Sequence, residues 1–86
     1  MNINELIKIV KSKIEAEIVI QDIKIEDKSF LHKNHKGNQE GMFHLKLIIK
    51  SEELKRLSKI ESTKKIYSIL NLELKEHIHS IQILLS

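Results

Sequence analysis

The sequence predicts an α/β fold: a single small domain that runs helix, strand, strand, short helical turn, helix, strand, with a three-stranded mixed sheet. Three observations predict it. The first residues carry apolar side chains at helical spacing, three later stretches alternate with a period of two, and a long helical stretch separates the second of these from the third.

"NINELIKIVKSKI" places Ile3, Leu6, Ile7, Val10 and Ile14 at helical spacing, and Asn2 stands to Glu5 as in a capping box. "EIVIQDIKIED" then switches to alternation. Val19, Ile23 and Ile25 share one face, and Ile18 and Ile20 fall on the other beside Asp22 and Lys24, as in a strand covered on one side. "MFHLKLIIKS" alternates more cleanly, with Phe43, Leu45, Leu47 and Ile49 inward and His44, Lys46 and Lys50 outward. From Ser51 the pattern is helical again, with start signals at Ser51, Ser58 and Ser62. They predict a short turn around Glu52 to Leu57, then a helix from about Ser62 to Lys75 with Ile66, Ile69, Leu70 and Leu74 on the core; one continuous helix is the alternative. The last segment, "IHSIQILLS", puts His79, Ile81, Ile83 and Leu85 on one side of a third strand.

The connections fix how these strands meet. The first two, adjacent in sequence, pair antiparallel. The helical stretch before the third implies a right-handed crossover and a parallel third strand. Strand three then starts at the edge where strand one ends and strand two begins. His79 opens strand three, and the loop "LHKNHKGNQEGMFH", with three of the five histidines and both glycines, joins the other two.

At 86 residues the chain makes one domain, able to bury roughly 60 to 65% of its unfolded surface. With aromatics at 3%, the core is aliphatic, each buried Ile or Leu contributing roughly 1.5 to 3 kcal/mol. There is no cysteine, which excludes disulfides, zinc fingers built on the chain's own thiolates and thiol catalysis. The net charge of +3 comes from lysines interspersed with acids rather than from blocks. No run approaches the roughly 18 apolar residues of a membrane span, and "MNINELIKIV" carries an acid where a signal peptide is basic. The expectation is a soluble, cytoplasmic protein.

His32, His35 and His79 form the candidate metal-binding cluster, since imidazole is the commonest protein metal ligand. His77 reads as a helix C-terminal residue, and His44, on the outward face of strand two, reads as structural. Catalysis finds no support: Gly37 and Gly41 lack the flanks of a phosphate loop, and Ser80 beside His79 makes no nucleophile, base and orienter set. A nucleic-acid interface would use Lys55, Arg56, Lys59, Lys64 and Lys65, with Lys64 and Lys65 its principal contacts. Glu52, Glu53, Glu61, Glu73 and Glu76 interrupt these cations, so a solvated amphipathic face is the simpler reading.

Taken in order, "SFLHKNH", "FHLKLIIKS", "KIYSILNLEL" and "HIHSIQ" form a set that resembles the BolA family along nearly the whole chain. "FHLKLIIKS" is similar to the family's Thr/Ser-His-Phe-x-Val strand, "KIYSILNLEL" follows at matching spacing, and "HIHSIQ" is similar to its Val-His-Ala-Leu segment, so that His44, Tyr67 and His79 keep the family's intervals. "SFLHKNH" resembles the Ser-His-x-His-Ala-Gly-His loop, with Phe30 in place of the first histidine. The resemblance implies a fold similar to class II KH domains. It also implies a partner, a monothiol glutaredoxin of the Cys-Gly-Phe-Ser type, joined through a bridging [2Fe-2S] cluster. The glutaredoxin cysteine and its glutathione would supply sulfur, and this chain would supply His79 and a loop histidine. Counting from Ser29 selects His32, whereas counting back from His44 selects His35, which is slightly favoured. The family's Arg-His-Arg reads Ser62, Thr63, Lys64 here, and its Phe-x-Gly reads Leu54, Lys55, Arg56, which weakens the DNA-binding alternative. Homodimerisation through exposed sheet edges is the third reading.

Overall fold

The computed structural model describes residues 1–29 and 42–86; His32 and His35, together with Phe30, Gly37 and Gly41, lie outside the described residues. The elements are α1 (Ile3–Glu17), β1 (Asp22–Asp27), β2 (Phe43–Lys50), α2 (Glu52–Lys55), α3 (Lys59–Ile69), α4 (Asn71–Glu76) and β3 (Ile78–Leu85). The sheet order is β1-β2-β3, with β1 antiparallel and β3 parallel to β2. This is the α/β order, with the mixed three-stranded sheet, that the periodicities predict.

α1 starts where its capping residue predicts. The Asn2 side chain accepts the Glu5 N–H at 2.9 Å and donates its amide to the Glu5 carboxylate at 3.1 Å, so the two side chains close on each other. Leu6, Val10 and Ile14 are buried. The helix ends because Ile18 turns extended, driving its side chain into the core while its N–H still reaches Ile14 O at 2.9 Å.

The first strand is shorter than the alternation suggests. Val19 is 65% exposed and does not join the face of Ile23 and Ile25. Its backbone is already engaged: the N–H donates to Glu53 Oε1 at 3.2 Å and the carbonyl accepts from Ser51 Oγ at 2.8 Å. With both groups taken by the start of α2, pairing with β2 begins only at Asp22. β2 is the central strand. Leu45, Leu47 and Ile49 point to the helices and are buried, and cross-strand partners continue that face as Ile25 and Ile23 on β1 and as Ile81, Ile83 and Leu85 on β3. Leu6, Val10, Ile14, Leu54, Ile66, Leu70 and Ile78 complete the core.

Between β2 and β3 the helical segment departs from the expected boundaries. It starts at Lys59 rather than Ser62, because Ser58 has a glutamate three residues on and Ser62 has a lysine. Ser58 Oγ accepts the Glu61 N–H at 3.1 Å, and Glu61 Oε1 accepts the Ser58 N–H at 3.2 Å, a reciprocal capping box. Ser62 is instead buried inside the first turn, its hydroxyl donating to Lys59 O at 3.0 Å. The helix also divides at Leu70, whose backbone leaves helical geometry (φ −98°, ψ 18°) before α4 begins. Buried Glu73 on α4 ties back to α1 through Lys13 at 2.6 Å.

These caps give a first prediction. The Glu61 carboxyl is held below its ordinary value of 4.5 by the Ser58 N–H and then by the Ser58 hydroxyl; that of Glu53 is held down by its hydrogen bond from Lys65 and then by the Val19 N–H. A carboxyl depressed in the folded state stabilises it above the unfolded value, and that contribution is lost as pH falls through the folded value. Thermal stability should therefore fall with acid below about pH 4.5, and less steeply in Glu61→Gln. Ser58→Ala should cost about 1 kcal/mol at neutral pH. A neutral Ser58→Ala would mean that the cap does not hold this helix.

Candidate metal-ligating site at the start of the third strand

The end of the sheet where β3 begins is irregular. Phe43 pairs with Ile78, but His44 pairs with Ser80, so one residue of β3 is extra. That residue is His79. The bulge lets His79 and Ser80 both approach His44 and returns the strand to register at Leu45 and Ile81. His79 consequently does not share the side of Ile81, Ile83 and Leu85, as strict alternation predicts. It stands exposed beside His44, on the sheet face away from the helices.

His44 is built in from every direction. It is 4% exposed although its side chain leaves the helical face. Its carbonyl accepts the Lys28 N–H at 2.7 Å, and its own N–H donates to Ser29 Oγ at 3.1 Å, Ser29 being held in turn by Asp27 Oδ1 at 2.5 Å. Its ring lies between two β3 side chains: Nδ1 is 2.6 Å from Ser80 Oγ and Nε2 is 3.3 Å from His79 Nδ1. The two imidazoles meet edge to face, with centroids 4.8 Å apart and planes at 90°.

With its Nδ1 engaged by His44, exposed His79 has Nε2 left to meet an external electrophile. Among the described residues, no group of three or more His, Cys, Asp or Glu side chains could hold a metal ion. Ser29 and Met42, which bound the segment carrying His32 and His35, both adjoin this end of the sheet: Ser29 bonds His44, and Met42 precedes Phe43, whose N–H donates to His77 O at 2.9 Å. His77 caps α4, its N–H reaching Glu73 O at 2.8 Å.

The neighbouring sheet surface is rich in lysine. Partial burial pushes the Glu26 carboxyl up, but Lys28, Lys24 and Lys46 together outweigh that and hold it below its ordinary value. Sequence reasoning placed His44 on the correct strand face but did not find its contact with His79. Only the bulge creates that contact, and no residue type at Ile78 to Ser80 marks one.

The other candidate residues lie apart. Lys65 donates to Glu53 Oε2 at 2.8 Å, whereas Lys64 is exposed. At the far end of β3 from His79, a groove of about 400 Å³ is lined by Leu54, Leu57, Ile83 and Leu85 with Lys55 and Lys59. No helix among the described residues is long and apolar enough to cross a membrane.

Known proteins agree with this architecture. The sequence model for BolA, described as BolA-like protein, matches residues 14–86. A Haemophilus influenzae protein named DNA-binding transcriptional regulator BolA is 32% identical over 74 residues, covering 86% of this chain and 69% of that protein. The BolA domain of SufE1 from Arabidopsis thaliana has a TM-score of 0.78 at 26% identity, covering 100% of this chain and 93% of that one. BolA1 from Arabidopsis thaliana has a similar fold, with a TM-score of 0.74 at 24% identity over 90% of this chain and 85% of that one.

Proposed function

The chain belongs to the BolA-like protein family, and from that premise we propose that it is an accessory protein of iron-sulfur cluster assembly or trafficking. It acts as a binding protein and not as an enzyme. It docks to a monothiol glutaredoxin of the Cys-Gly-Phe-Ser type and contributes histidine to a bridging [2Fe-2S] cluster, the glutaredoxin and its glutathione supplying sulfur. The observation that supports this reading best is an exposed His79, held through Nδ1, at the end of the sheet that Ser29 and Met42 also adjoin.

Each residue has a defined task. His79 offers Nε2 as ligand, and His35 or His32 supplies the second imidazole. Lys28 and Lys46 give the adjoining face a positive potential that suits an anionic, thiolate-ligated partner. The cluster itself supplies redox-active iron and sulfur, at a potential that imidazole ligation raises above that of all-thiolate ligation.

Mixing the chain with cluster-loaded glutaredoxin should convert a glutaredoxin homodimer into a heterodimer with altered visible absorption, followed by light scattering and spectroscopy. An unchanged homodimer and spectrum would contradict the reading. A second reading, a DNA-binding regulator, is favoured by the name of the Haemophilus influenzae relative. It predicts duplex binding that falls steeply with salt and that weakens in Lys64→Ala or Lys65→Ala.

A further inference from the structure

Nothing in the cluster reading requires His44, yet the fold spends a β-bulge on it. The extra residue in β3 sets two consecutive side chains, His79 and Ser80, against the two nitrogens of one buried imidazole. Resting on that reading, we propose that His44 is a positioning residue for His79. When His79 binds a metal through Nε2, His44 accepts the His79 Nδ1–H and passes its own Nδ1–H to Ser80, which holds the ring with Nε2 outward.

The argument is one of donors and acceptors. A neutral imidazole has one nitrogen that donates and one that accepts. With both rings neutral, the contacts at 2.6 and 3.3 Å allow two self-consistent arrangements. In one, Ser80 O–H donates to His44 Nδ1, His44 Nε2–H donates to His79 Nδ1, and His79 presents an N–H to solvent. In the other, His79 Nδ1–H donates to His44 Nε2 and His44 Nδ1–H donates to Ser80 Oγ, so that His79 Nε2 is a bare lone pair. The two hold the same number of protons, so neither a net protonation nor a redox step separates them. Only the second accepts a metal at Nε2, and a metal-bound histidine commonly donates its other N–H to a fixed partner, which orients the ring and raises its basicity.

Burial makes His44 a suitable fixed partner. At 4% exposure, with its backbone bonded to Lys28 and Ser29, it cannot swing to follow His79; the exposed ring must adapt to the buried one.

Two measurements test this. In the isolated chain, long-range proton–nitrogen spectra of the imidazoles should show that Ser80→Ala shifts the Nδ1 resonance of His79, through His44. In the cluster-loaded glutaredoxin heterodimer, Ser80→Ala and His44→Leu should each release iron roughly 10- to 100-fold more readily than wild type, and His44→Gln, which keeps an acceptor toward His79, should restore part of that loss. Ser80 is exposed, so its variant tests the relay even if His44→Leu fails to fold. An unmoved His79 resonance, or wild-type iron release in both Ser80→Ala and a folded His44→Leu, would overturn the relay. If His79→Ala is also without effect on the heterodimer, the cluster reading itself fails, which separates the two results.

Discussion

His79→Ala should leave the fold in place and abolish the histidine-ligated heterodimer with glutaredoxin. The two halves of that expectation have separate physical grounds. His79 is exposed and contributes nothing to the apolar core, so its removal forfeits one hydrogen bond, at a cost on the order of 1 kcal/mol. The proposed coordination shell, by contrast, would lose its exposed nitrogen, and His44, buried at 4% exposure and tied by its backbone to Lys28 and Ser29, is not placed to take over. Size and visible absorption of the mixture should revert to those of the glutaredoxin homodimer, while the thermal midpoint of the free variant falls by no more than about 4 to 8 °C. A variant that still forms the heterodimer with the wild-type spectrum would remove His79 from the site.

The largest effect on stability is expected at Leu47. It is fully buried at the middle of the central strand, with Ile25 opposite on one side and Ile83 on the other. Leu→Ala at such a position costs about 3 to 5 kcal/mol, the transfer free energy of the lost atoms plus the cavity left behind. Domains of this size are stable by on the order of 4 to 13 kcal/mol in all, so the variant should lose a large share of its stability. Its thermal midpoint should drop by at least about 12 °C. Leu84→Ala, at 42% exposure on the opposite sheet face, should cost under about 1 kcal/mol. Similar losses at the two positions, measured by denaturant or thermal unfolding, would mean that the core does not lie between this sheet face and the helices.

Period-two alternation made β2 legible in the sequence, since Leu45, Leu47 and Ile49 are buried on one face whereas Lys46 and Ile48 between them are only partly buried. The spacing of Leu6, Val10 and Ile14 made α1 legible in the same way. Strand one was overextended because Val19 has the residue type of a strand, whereas its backbone groups are claimed by Ser51 and Glu53, more than thirty residues later in the chain. The helix start could have been found: of the three candidate serines, Ser58 has a glutamate at the third position beyond it and Ser62 does not. The site was legible only in part. Strand order brought His79 to the right end of the sheet, but its direction depends on the register shift between Phe43 and His44. A shift of one residue reverses which face a side chain takes, and it turned His44 from a residue on a solvent face into the neighbour of His79.

The central claim is that this chain donates histidine nitrogen to iron. Pulsed electron paramagnetic resonance on the reduced heterodimer, with nitrogen-15 histidine incorporated only into this chain, reads that bond directly. The account predicts strong nitrogen-15 couplings from the labelled chain, lost together with the heterodimer in His79→Ala; a wild-type spectrum without couplings from the labelled chain would contradict it.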